Sequence, residues 1–132
     1  MKWVNARMKW VMLVSGVLTC TMVFAAVAPR AALRSTFGET LEGPLAEVVV
    51  RNWGALIALV GAMLIYGAFN PQSRPLVLIV AGLSKLTFIA LVLTYGSGYL
   101  WRQAGVAVAV DSVMVLLFLW HLITARRSRV AA

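Results

Sequence analysis

Hydrophobic positions along this chain come in long, almost unbroken runs. Residues 10–27, 48–69, 76–95 and 104–124 are apolar nearly throughout. A helix of about 20 mostly apolar residues spans the ~30 Å hydrocarbon layer of a bilayer, and only helices and closed barrels satisfy their backbone there. Each run is bounded by residues that stop or start helices. Pro29 follows the first, Gly43-Pro44 opens the second and Asn70-Pro71 closes it, while Pro75 opens the third and Gly96-Ser97-Gly98 ends it. The connections are short enough to make successive helices antiparallel neighbours. The pattern predicts an all-α fold, an integral membrane up-down four-helix bundle forming a single domain over residues 1–132, with an outer loop at 28–47.

Composition strengthens that picture. Of 132 residues, 62% are hydrophobic and 12% charged, whereas soluble domains average roughly 45–50% and 25%. A small soluble fold cannot bury so much apolar surface, which argues against a soluble enzyme, a nucleic-acid module and a disordered tail alike. The net charge of +8 does not gather on one folded face. Lys2, Arg7 and Lys9 precede the first run, Arg74 sits between the second and third, and Arg126, Arg127 and Arg129 follow the last. The opposite side carries Arg30, Arg34, Arg51 and Arg102, diluted by Glu39, Glu42 and Glu47. Basic residues concentrate on the cytoplasmic side of membrane proteins, so both termini are expected to be cytoplasmic, with no nucleic-acid partner. Trp10, Tyr66 and Trp120 fall at the inner interface, and Trp53, Tyr95, Tyr99 and Trp101 at the outer one. Residues 1–28 also read as a signal peptide ending in Ala26-Val27-Ala28, but Pro29 would hinder cleavage there, and the first run is kept as a helix.

Lipid gives helices no hydrophobic reason to associate, so small residues mark the packing faces. Gly54, Ala58 and Ala62 recur at one spacing in the second helix with Gly61 beside them, and Glu47 and Arg51 continue that stripe. Ala81 and Gly82 precede Lys85 by one turn, and Ala104 and Ala107 precede Asp111. Ionisable groups inside a span cost at least about 2.5 kcal/mol, so Glu47, Arg51, Lys85 and Asp111 are the candidate ion-pair or ligand site. At 1.5 Å per residue, Arg51 lies roughly 10 Å inward from Pro44 and Asp111 roughly 9 Å inward from Gly105, which makes them the expected pair, with Glu47 one turn above Arg51. Lys85 lies roughly 15 Å inward from Tyr95 on a helix running the other way, and its side chain leans away from Asp111, so that pairing, within reach of a long lysine stem, is not the first choice of the geometry. Two readings follow: a four-residue charge network that staples three helices, or an under-paired, desolvated Lys85 that meets an anionic or carbonyl-bearing ligand or a proton path. Ser15, Thr19 and Cys20 in the first helix are unspecific and are assigned no function. In the outer loop, Leu33, Phe37 and Leu41 with a Thr36-x-x-Glu39 capping box suggest a short interfacial helix or a lid over the polar cluster.

Catalytic chemistry is poorly provided for. His121 and Asp111 share a helix about 15 Å apart, so no Ser-His-Asp arrangement includes both. One histidine and one cysteine, Cys20, build neither a zinc cage nor a disulfide. No catalytic, cofactor-binding or metal-ligating residue is assigned.

The segment Phe37-Gly38, the entry Glu47-Val48-Val49-Val50-Arg51-Asn52-Trp53-Gly54, the proline-bounded inner turn and Ser84-Lys85 in the third helix resemble the broad class of small DoxX-like four-helix membrane proteins. That resemblance spans most of the chain and implies Glu47, Arg51 and Lys85 as candidate positions. It also implies an association with quinone-linked oxidoreductases, as in some members of the class, and so a quinone as a possible cofactor. A thiol-redox role would need a cysteine pair, and this chain has one cysteine. The expected function is a non-enzymatic multi-pass membrane protein whose outer-leaflet polar pocket binds a small ligand or lipid or docks a larger membrane partner. The alternatives are an accessory subunit of a quinone-linked oxidoreductase and an oligomeric small transporter or channel.

Overall fold

A computed structural model of the chain describes residues 2–131. The side chains of residues 2–5 and 128–131, Lys2 and Arg129 among them, lie outside the described set. The elements are helices α1 (Lys2–Cys20), α2 (Val23–Val27), α3 (Pro29–Phe37), α4 (Pro44–Phe69) and α5 (Arg74–Tyr95), a short 3₁₀ turn (Ser97–Trp101), and α6 (Gln103–Ala131). No strand occurs among the described residues. Four helical segments, Ala6–Val27, Pro44–Phe69, Arg74–Tyr95 and Gln103–Arg127, are long and apolar enough to cross a membrane, as in an integral membrane protein.

The first apolar run is not one helix. The Thr19 hydroxyl donates to the Ser15 carbonyl at 2.6 Å and the Thr21 hydroxyl to that of Leu18 at 2.5 Å. Back-bonding of this kind competes with the helical ladder. The backbone N–H groups of Thr21 and Met22 reach only to the carbonyls of Leu18 and Thr19, so one turn tightens to the 3₁₀ pattern before α2 resumes. A second break falls at Ala28, at φ −130° and ψ 72°, because the residue before a proline is pushed out of the helical region. After it, α3 begins on Pro29 and ends on Gly38 at φ +77°, a conformation in which a Cβ would be strained.

Helix α1 packs most closely along α4, and α5 along α6. The α1–α4 contact is backbone against backbone: a Cβ at Gly61 would stand 2.6 Å from the Cys20 nitrogen and 2.7 Å from the Gly16 carbonyl oxygen. Small residues do line this face, but not the stripe read from the sequence. Gly54, Gly61, Leu64 and Ala68 are buried, whereas Ala62 is exposed. The buried face drifts around the helix because 3.6 residues per turn do not divide into steps of four.

The solid core is formed by Met8 and Met12 from α1, Leu64 and Ala68 from α4, Val77, Leu78 and Ala81 from α5, and Met114 and Phe118 from α6. Arg74 closes this half. It is 4% exposed, and its guanidinium donates to the carbonyls of Gly67 and Ala68 at 3.1 and 2.9 Å, satisfying the end of α4. On the outside, Val17, Leu59, Leu83 and Leu116 are exposed at the middle of their spans, the reverse of a soluble fold and what a lipid solvent accepts.

Candidate functional site

Beyond Met114 and Ala81 the bundle is hollow. A cavity of about 470 Å³ lies between the α1–α4 pair and the α5–α6 pair, within the range of small-molecule pockets. Its walls are largely apolar, with Ile57 on α4, Phe88 on α5 and Val110 on α6, and its polar wall is Thr19, Ser84, Lys85 and Asp111. The tightened turn after Thr19 opens the α1 side, contributing Thr21 and Met22 to the lining.

Lys85 is the centre of the polar wall. Its Nζ donates to Asp111 Oδ1 at 2.8 Å and to Thr19 Oγ1 at 3.1 Å. The lysine side chain is 7% exposed and that of Asp111 18%. Thr19 uses its own hydroxyl proton on the Ser15 carbonyl, which turns an oxygen lone pair toward the ammonium. Three helices, α1, α5 and α6, thus meet at one charge. Buried ions are retained when they are paired and their remaining capacity is hydrogen-bonded, and this arrangement supplies both.

The expected Arg51–Asp111 pair is absent, and the structure corrects it in two ways. Arg51 is exposed, and its Nη1 donates to the carbonyls of Ala26 and Val27 at 2.6 and 3.4 Å. The break before Pro29 frees those carbonyls from the helical ladder, and a guanidinium is the group that can serve two of them. Asp111 also lies deeper than reckoned from Gly105, because α6 begins at Gln103. From Gln103 to Asp111 the helix rises ~12 Å, and from Lys85 to Tyr95 ~15 Å, so the levels differ by only ~3 Å. A four-carbon lysine stem covers that easily. Glu47 stands in the first turn of α4, where the helix dipole favours an acid, and takes no part in the ion pair. Neither Glu47 nor Arg51 lines the cavity. Of the four candidate residues the structure brings together Lys85 and Asp111. Thr19, passed over in the sequence, joins them; its signal was a hydroxyl at the level of the charges, which Ser15 and Thr21 in the same run obscured.

Over the cavity sits α3. Phe37 packs on Trp53 of α4 at 6.2 Å between ring centroids and edge-on to Tyr99 of the 3₁₀ turn at 5.3 Å. Thr36 from α3, Trp53 and Gln103 form the cavity's rim. Thr36 lies in the last turn of α3, so the Thr36-x-x-Glu39 capping box does not form. Glu39 instead accepts a hydrogen bond from the Tyr99 hydroxyl at 2.8 Å. That bond, and the negative charge behind it, push the Tyr99 phenol above its ordinary pKa. Leu33 is buried and Leu41 exposed, so the apolar periodicity of the loop ends with α3.

Away from the cavity, the Cys20 thiol donates to the Ala58 carbonyl at 3.6 Å within the α1–α4 contact. Among the described residues, no three His, Cys, Asp or Glu side chains converge as metal ligands would. No known family model matches this chain, and neither does any curated protein or solved structure.

Proposed function

We propose that this protein is an up-down four-helix protein of the bacterial inner membrane, with both termini cytoplasmic, that binds a small membrane-soluble ligand in its outer-leaflet cavity. The observation that carries the reading is the cavity of about 470 Å³ with the Lys85–Asp111 pair in its wall. Pockets of that size lined by apolar groups and a few convergent polar ones are the usual form of a ligand site. A purely structural ion pair has no need of a cavity beside it, since lost packing contacts destabilise the fold. The orientation rests on the excess of Lys and Arg at the ends of α1 and α6 and in the turn between α4 and α5. A quinone, the cofactor class implied by the resemblance to DoxX-like proteins, falls within the range of membrane-soluble candidates.

Native mass spectrometry of the protein released from detergent tests this directly. The wild type is expected to retain a bound mass, and Ala107→Phe, which places a ring in the cavity wall, to lose it while keeping its helical circular-dichroism spectrum. The same adduct on both proteins, or none on either, overturns the reading.

A further inference from the structure

If the cavity is a ligand site, its polar wall specifies the head group. An ammonium carries three N–H donors. Lys85 spends one on Asp111 and one on Thr19, and among the described residues no acceptor takes the third. Asp111 accepts through Oδ1, and among the described residues its second oxygen takes no hydrogen bond. One wall of the cavity therefore offers an unused donor and an unused acceptor within a single ion pair. As a unit the pair is neutral. An anionic head would compete with Asp111 for the ammonium and bring two negative charges together in a low dielectric, and a cationic head would do the mirror image to Lys85. A ketone, ester or ether can accept from Lys85 but returns nothing to Asp111.

We propose that the occupant is a neutral amphiphile with a hydroxyl head group: its oxygen accepts the third Lys85 N–H, its O–H donates to Asp111 Oδ2, and its apolar body lies against Ile57, Phe88 and Val110. The hydroxyl is the smallest head that meets both demands, and it does so without disturbing the bonds from Lys85 to Asp111 and Thr19. Sterol-like and isoprenoid alcohols, phenols and diacylglycerols share this chemistry.

Trp53 on the cavity rim provides the readout. The wild-type protein in detergent is titrated with a matched series of medium-chain ω-bromo probes: the primary alcohol, its methyl ether, the carboxylate and the ammonium. Bromine quenches a tryptophan it touches, and the same series on Trp53→Phe, which keeps the other four tryptophans, gives the background whose subtraction isolates Trp53. The alcohol is expected to quench saturably, about tenfold more tightly than the ether, the equivalent of about 1.4 kcal/mol for the bond donated to the carboxylate. The charged probes are expected to bind more weakly than either. In Lys85→Met/Asp111→Leu, which removes donor and acceptor without stranding a charge, alcohol and ether are expected to converge to within about twofold. An ether equal to the alcohol in the wild type, or a charged probe that binds best, overturns the hydroxyl assignment and leaves the ligand site standing. Absence of any saturable, Trp53-dependent quenching overturns both. The wild-type series decides the head group whether or not the double variant folds.

Discussion

An ammonium at 6% exposure persists at Lys85 because two helices send it oxygen atoms, a carboxylate from α6 and a hydroxyl from α1. The value of such a pair is asymmetric. Exchanging both partners for apolar residues removes two desolvation costs together with the attraction that offsets them, whereas removing one leaves a charge without its counterpart. Lys85→Met is therefore expected to destabilise the protein by about 3 kcal/mol, and Lys85→Met/Asp111→Leu to fall within about 1 kcal/mol of the wild type. Equilibrium unfolding in mixed micelles measures both, and equal losses in the single and double variants would show that the pair is not an energetic unit. Thr19→Val belongs to the same cycle. It removes the neutral acceptor while keeping the shape, so its effect should be the smaller one, about 1 kcal/mol. The residue scale was the least legible in the sequence. The sequence marked four charges in or beside the apolar runs, but not that only Lys85 and Asp111 of them line the cavity, nor which of them meet. That depended on a helix start at Gln103 and a helix break at Ala28, and the break diverts Arg51 to backbone carbonyls.

Among the elements, the four long helices follow from the lengths of the apolar runs, and prolines and glycines mark their ends well. The first span carries the departure, because hydroxyls that tighten a turn by back-bonding leave hydropathy unchanged. That turn adds Thr21 and Met22 to the cavity lining, while α1 stays packed against α4. The α1–α4 contact depends on the absence of side chains at Gly16 and Gly61, where the two backbones touch. Gly61→Val would force the helices apart along their tightest contact, and a loss of about 1–3 kcal/mol is expected, as for other overpacked sites. Ala62→Val, one position along the same helix but facing outward, is expected to change stability by no more than about 0.5 kcal/mol. The two variants measured side by side locate the packing face. A larger effect at residue 62 would mean that the exposed surface of α4 is covered by another copy of the chain or by a partner.

Taken whole, the molecule divides along its length into a packed half and a hollow half. Methionine and leucine side chains from all four spans fill the first, and α3 with its aromatic contacts to Trp53 and Tyr99 covers the second. The division follows from residue sizes: α6 brings Met114 and Phe118 to the packed half but Ala104 and Ala107 to the other. In the proposed membrane placement the two halves lie at different depths in the bilayer, with the cavity toward the leaflet that α3 faces. Orientation then decides which compartment supplies the proposed ligand. On the proposed orientation, which rests on the excess of basic residues, the turn between α4 and α5 lies in the cytoplasm and the 3₁₀ turn outside. Single cysteines at Gln72 and Ser97, both exposed, test this in a Cys20→Ser background. In intact cells a membrane-impermeant maleimide is expected to label the cysteine at position 97, and to label that at position 72 only after the membrane is permeabilised. The reverse pattern would place α3 on the cytoplasmic side and make the cavity a site filled from within the cell. Labelling at both positions in intact cells would mean a mixed insertion, which an excess of seven basic residues over four is expected to prevent.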